Sequence, residues 1–316
     1  MRLKKSLFII LCCFLFSACN INRLAINAVS NALTKEGSQE IFTGDSDPVL
    51  VGDALPFAIK MYESLLEANP KHKGLLATTG SLFVMYANAF VQTPAEQLPR
   101  ELYGLRQAEM DRAGKLYLRG VDLLYRRLEL NETAGGTFQE KLAKLKKDDV
   151  PSLYWAAVGG LSAYSLNLLN LDLGIRIPEF ISLINRAYEL DPDFNSGALD
   201  EFLLLFYASV PEHLGGDKAK AETHFKLAVE KSGGLLAGPF VSYAQALSIP
   251  AQDYDRFKTC LETALSIDIE ANPSNRLVNI IYQRKAQYLL DSSVYYFFNL
   301  DANDFNTDFE WDDEDW

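Results

Sequence analysis

Five stretches of this chain repeat one pattern of residues at helical spacing: small, aromatic, small. Ala221-x3-Phe225-x2-Ala228 carries it in full, and Ala58-x3-Tyr62-x2-Leu65 carries it with Pro70 five residues on. Phe180-x3-Ile184-x2-Ala187 is looser, with Pro192 in the same place; Phe257-x3-Leu261-x2-Ala264 and Ala113-x3-Tyr117-x2-Gly120 are looser still. Positions three and four apart share one face of a helix. A small residue there lets a partner helix approach, the aromatic fills the next groove, and the proline stops the helix so that the chain can turn back. Elsewhere helical periodicity dominates, alternation at period two is scarce and Asn-Gly hairpin turns are absent. The chain therefore reads as all-α.

The pattern is that of the second helix of a tetratricopeptide repeat, a helical hairpin of about 34 residues. Its third positions fall at 65, 120, 187, 228 and 264, and only the last two intervals, 41 and 36, approach that period. First helices with a clean Trp-x2-Leu-Gly-x2-Tyr are missing. Helix-ending signals stand at Asn69-Pro70, Asp191-Pro192, Gly233-Gly234 and Asn272-Pro273. The reading is a degenerate repeat protein with helices over 23–34, 54–68, 74–91, 101–129, 138–146, 152–170, 178–190, 197–209, 217–231, 238–247, 252–267 and 275–291. About four hairpins result (74–129, 152–190, 197–231 and 238–267), with an insertion at 131–150. Helix 275–291 is the expected cap, since an uncapped last repeat would expose its apolar face.

The ends of the chain speak about location. Arg2, Lys4 and Lys5 precede 13 mostly apolar residues, Ser6 to Ala18. That is a signal-peptide length, short of the roughly 20 residues that span a bilayer. Ser17-Ala18-Cys19 follows as a relaxed bacterial lipobox, with Phe16 where leucine is usual. Cys19 would carry the lipid that tethers the chain to a membrane. The four cysteines are Cys12, Cys13, Cys19 and Cys260; with two in the signal and one lipidated, Cys260 has no internal disulfide partner. The domain reading is 1–18 signal, 19–53 lipidated segment and linker, 54–300 repeat domain and 301–316 tail. The tail holds eight acids, no base, and Phe305, Phe309, Trp311 and Trp316. It reads either as a solvated tail or as a segment that folds on a partner.

The formal charge of −12 becomes −15 without the three signal-peptide bases; the tail supplies −8, leaving −7 on the body. With no basic patch, nucleic acid is a poor partner.

Four stretches then carry a specific resemblance: S-L-Y-W-A-A-V-G-G at 152–160, H-L-G-G-D-K-A-K-A-E-T-H-F-K-L-A-V-E-K-S-G-G at 213–234, P-F-V-S-Y-A at 239–244 and R-K-A-Q-Y-L-L at 284–290. With the lipobox, these resemble the TatT family, lipoproteins associated with tripartite ATP-independent periplasmic (TRAP) transporters and known as T components. The resemblance spans about residues 19 to 300 and leaves out the acidic tail. It implies a periplasmic, lipid-anchored, all-α protein with tetratricopeptide-like motifs. It further implies a substrate-binding protein as partner, a homotrimer, and a mostly apolar pore for a hydrophobic or amphipathic ligand.

Tyr154, Trp155, Gly159 and Gly160 are candidate pore residues; the competing reading is core packing, with the glycines admitting a close helix. Phe83 and Tyr86, in a stripe with Ala87 and Phe90, divide between the same two readings. Asp191-x-Asp193-x-Asn195 opens like a calcium loop but has Gly197 one place late and Phe202 where glutamate is needed, so it reads as a turn capped by Asn195 or Ser196. His72, His213 and His224 lack metal-ligand spacing. Asn131-Glu132-Thr133 carries no weight in a bacterial lipoprotein. Gly-x-Ser-x-Gly and Gly-x-x-x-x-Gly-Lys are absent. No catalytic residue, cofactor or metal is expected. Two functions stand: an accessory lipoprotein of a solute importer, or a membrane-tethered scaffold that binds peptides in a groove without a small ligand.

Overall fold

The computed structural model describes residues 24–35, 37–131, 135–212 and 215–300. Cys19, His213, part of the Asn131-Glu132-Thr133 triplet and the acidic tail lie outside them. Every regular element among the described residues is helical. The principal helices are α1 (Leu24–Leu33), α2 (Pro48–Ala68), α3 (Lys73–Gln97), α4 (Tyr103–Leu128), α5 (Val150–Leu166) and α6 (Leu171–Leu190). They continue with α7 (Ala198–Ser209), α8 (Lys218–Lys231), α9 (238–251), α10 (Tyr254–Leu265) and α11 (Arg276–Asp291). Consecutive helices pack from α2 through α6, with further pairs α7–α8, α9–α10 and α10–α11.

The small-aromatic-small faces are the seams. Ala113, Tyr117, Phe180, Ile184, Ala187, Ala221, Phe257, Leu261 and Ala264 are all fully buried. Gly120 shows why its position is small: a Cβ there would stand 2.7 Å from the Gly80 carbonyl oxygen of α3. Helix α3 is long and apolar enough to cross a membrane by length and composition, but most of it is buried. It packs against α2, α4 and α5 as the central core helix.

Where helix boundaries differ from the sequence reading, local chemistry gives the reason. Helix α2 begins at Pro48 rather than residue 54, because the Asp47 carboxylate accepts the Val49 and Leu50 N–H groups at 3.0 Å and proline suits the first turn. Helix α6 begins at Leu171, capped by Asn170, and runs through Pro178 on its exposed side. The helix expected over 138–146 shortens to Phe138–Leu142, opened by a Thr137–Glu140 capping box. Asn195, Ser196 and Gly197 all take positive φ (46°, 53° and 97°). Neither Asn195 nor Ser196 caps α7; a left-handed turn ending on glycine does.

Two helices expected to stop before a proline continue through it by widening a turn. In α3 the Thr93 N–H reaches the Asn88 carbonyl, and in α9 the Ile249 N–H reaches the Ala244 carbonyl. Each is a five-residue π turn just ahead of Pro94 or Pro250. Proline cannot donate to the carbonyl four residues back, and the wide turn accommodates that loss.

Helix α11 does more than cap the last repeat. Its C-terminal half, at Ala286 and Leu289, belongs to the core formed by α7 to α10. Its N-terminal half, at Leu277 and Ile281, belongs to the core formed by α2 and α3. Arg276 donates to the Gly44 carbonyl at 2.6 Å, and Lys285 pairs with Glu96 of α3 at 3.1 Å. The last helix thus returns to the first hairpin.

Candidate functional site

Inside this closure the helices present polar side chains to one another. The Asn88 amide of α3 donates to the Tyr117 hydroxyl of α4 at 3.2 Å, and that hydroxyl donates to Gln92 at 2.6 Å. Gln92 donates to Glu96 at 2.7 Å, and Glu96 holds Lys285 of α11. One turn before Lys285, the Tyr282 hydroxyl donates to Glu201 Oε1 of α7 at 3.1 Å. The Ser242 hydroxyl of α9 donates to the same oxygen at 2.9 Å. A polar belt thus runs from α4 through α3, α11, α7 and α9. Asn88 and Gln92 lie within the first π turn, and Ser242 lies two residues before the second.

Glu201, Tyr282 and Tyr154 of α5 are half-buried. Burial raises the Glu201 carboxyl above its ordinary range, against the opposing pull of Ser242, Tyr282 and Lys285. The Glu201 charge and burial together hold Tyr282 protonated, and burial does the same for Tyr154. Gly238 leaves room for the carboxyl group; a Cβ there would stand 2.7 Å from both oxygens.

The candidate residues separate by surroundings. Tyr154 is half-buried, edge-on to Trp155 at 5.1 Å between ring centres and tilted against Phe194 at 5.6 Å. Gly159 lies at a helix crossing, where a Cβ would meet Val84 at 2.8 Å, and a Cβ on Gly160 would overlap the Phe180 ring. Phe83 is buried between α2 and α3 with the Arg119 guanidinium over its ring at 4.4 Å. Tyr86 lines a cavity of about 260 Å³ where α2, α3 and α11 meet, with Val49, Phe90, Thr93 and Ile281.

Sequence reasoning passed over Glu201, Ser242 and Tyr282 altogether. They stand on three helices, and spacing along the chain carries no sign of their meeting. It also passed over a second buried acid. Asp200 is fully buried and holds His224 Nδ1 at 2.8 Å, Lys231 Nζ at 2.8 Å and the Tyr188 hydroxyl at 3.2 Å. Burial alone would raise its carboxyl, but the hydrogen bonds from His224 and Lys231 outweigh that and lower it. This network ties α6, α7 and α8 together. Asp191 and Asp193 of the calcium-like stretch pair with Lys147 at 3.1 Å and Lys231 at 3.5 Å. His72 caps α3 by accepting the Leu75 N–H. Among the described residues no cluster of three or more histidine, cysteine or acidic side chains is placed to hold a metal.

On the outer surface a groove of about 330 Å³ runs between α8, α9 and α10, lined by Phe225, Val229, Phe240, Arg256 and Cys260. At the turn between α5 and α6, Leu168, Leu169, Leu171 and Ile175 are 65 to 90% exposed. An apolar cluster that open to solvent marks a contact surface.

A sequence profile described as TRAP transporter T-component matches residues 44–297. A protein of Treponema pallidum (strain Nichols), named only as uncharacterized, is 34% identical over 305 residues, which cover 88% of this chain and 94% of that protein.

Proposed function

The chain belongs to the TRAP transporter T-component family, and on that premise we propose that it docks the substrate-binding protein of a TRAP-type importer and holds or passes a hydrophobic or amphipathic ligand. The observation that carries the ligand half is the cavity at Tyr86 and Phe90, where α2, α3 and α11 meet. The exposed cluster at Leu168, Leu169, Leu171 and Ile175 supports the docking half, or the packing of three copies into a homotrimer. Lipidation of Cys19 would keep the assembly on a membrane in the periplasm. A tail that folds on a partner would add to the dock.

Native mass spectrometry of the soluble form, residues 20–316, tests this, alone and mixed with a TRAP-type substrate-binding protein. A trimer that captures the binding protein and retains a small apolar molecule is the expected result. A monomer that ignores the binding protein and carries nothing would refute it. Capture that survives deletion of residues 301–316 removes the tail from the account, and capture lost in Leu169→Glu/Ile175→Glu assigns it to the exposed cluster. The groove at Phe225 and Phe240 favours a second reading, a tethered scaffold that binds an extended peptide. In that case peptides bind and no small molecule copurifies.

A further inference from the structure

The cavity where α2, α3 and α11 meet has a polar stretch in an otherwise apolar wall. Thr93 and Gln97 of α3 both line it, and their spacing puts them on one helix face. Thr93 is 7% exposed and Gln97 4%. Neither side chain makes a hydrogen bond among the described residues. Neither the hydroxyl nor the amide is sealed off, as the unpartnered hydroxyls of Thr79 and Ser248 are, so the space these groups reach is the cavity they line. The last turn of α3 does not need Gln97, because Arg106 already donates to the carbonyls of Ala95, Glu96 and Leu98. The π turn at Asn88–Gln92 ends directly before Thr93, and such turns recur at functional sites.

A buried hydroxyl and a buried amide without partners are unfavourable. Each can both donate and accept. An uncharged guest that does both would satisfy them, whereas an ionised head would give up its hydration against neutral groups. The charged side chains that line the cavity, Asp53 and Arg284, are exposed and opposite in sign, so they favour neither an anion nor a cation. We propose that the cavity recognises the uncharged polar end of an amphipathic guest, a group of carboxamide type that donates and accepts, held by Thr93 and Gln97 while its apolar part lies against Phe90 and Ile281. This rests on the reading that the chain holds an amphipathic ligand and names the polar end of that ligand.

The test uses the purified full chain and three probes of equal length: octanamide, octanoate and octylamine. Titration calorimetry at about pH 7.5, where the last two are ionised, is expected to give octanamide at least about tenfold tighter than either. Thr93→Val and Gln97→Met keep the size of the side chains and remove their hydrogen-bonding atoms. Combined, they are expected to weaken octanamide about tenfold and leave the two ions unchanged within about twofold. Equal affinities, preference for an ion, or a preference for octanamide that survives the double variant overturns the neutral site alone. Failure of all three probes to bind overturns the ligand reading beneath it.

If the double variant does not fold, the wild-type chain decides with N-methyloctanamide and methyl octanoate, which differ only by an N–H in place of an oxygen. The amide is expected to bind about threefold tighter or more, because the ester accepts and cannot donate. An ester that binds as tightly as the amide overturns the proposal.

Discussion

Gly114 and Gly120 lie on the same helix, α4, yet alanine at the two positions acts in opposite directions. A Cβ on Gly114 meets nothing within 4 Å. Gly114→Ala therefore gains the helix preference of alanine over glycine, about 0.5–1 kcal/mol, with no steric penalty. A Cβ on Gly120 stands 2.7 Å from the Gly80 carbonyl oxygen, 2.8 Å from Val84 Cγ2 and 3.2 Å from Phe83 Cβ. Ordinary Cβ contacts begin at 3.4 Å, so the shortfall against the carbonyl is about 0.7 Å. That oxygen belongs to the backbone of α3 and cannot turn aside as a side chain can. Overpacking of a core is worth about 1–3 kcal/mol, and the upper half of that range applies where backbone must move. Subtracting about 1 kcal/mol of helix preference leaves Gly120→Ala destabilised by about 1–2 kcal/mol. Urea unfolding followed by circular dichroism at 222 nm separates the two. The midpoint rises for Gly114→Ala and falls for Gly120→Ala at unchanged slope. A Gly120→Ala protein as stable as Gly114→Ala would refute the argument that close contact, rather than helix preference, decides this position.

Asp200→Ala removes the buried carboxylate that Lys231 and His224 share, and a loss of about 3–5 kcal/mol is expected in the same assay. Because the folded-state carboxyl is held below its ordinary value, the stability it contributes is complete above about pH 5 and fades as pH falls through and below about 4. The urea midpoint of wild type should accordingly fall more steeply between pH 6 and 3 than that of Asp200→Asn. Burial pushes the Cys260 thiol up to about 11. Iodoacetamide at pH 8 should leave it unmodified in the folded chain and label it fully in urea, as read by mass spectrometry; rapid labelling of the folded chain would contradict its burial.

Periodicity revealed the helices, and the small-aromatic-small faces revealed the seams between them, because both depend on residues a few positions apart. Ala113, Tyr117 and Gly120 needed no knowledge of the partner helix to be recognised as a contact face. Prolines misled where a proline has more than one use. Asp47-Pro48 opens a helix although Asp191-Pro192 closes one, and Pro94 and Pro250 sit in helices that continue past them. The difference lies in whether the lost hydrogen bond is absorbed by a first turn, a π turn or a chain reversal, and the neighbouring residues do not announce which. The site was legible only in part. Tyr154 stood out as an aromatic at a helix start, but Glu201 looked like any acid in a first turn. Its partners Ser242 and Tyr282 are brought to it by α9 and α11, and only the closure of the fold creates that meeting.

That closure also limits how such a protein can vary. In an open stack each unit touches only the units before and after it, so stability accumulates along a line and units can be gained or lost at either end. Here Arg276 rests on Gly44 and Lys285 on Glu96, and the line has become a loop without a free terminus. Insertion or deletion of one hairpin would displace α11 from its seat and break the belt at Tyr282 and Lys285 together. A change in the number of hairpins is therefore expected to unseat α11, whereas changes in the connecting turns and outer faces leave these contacts in place.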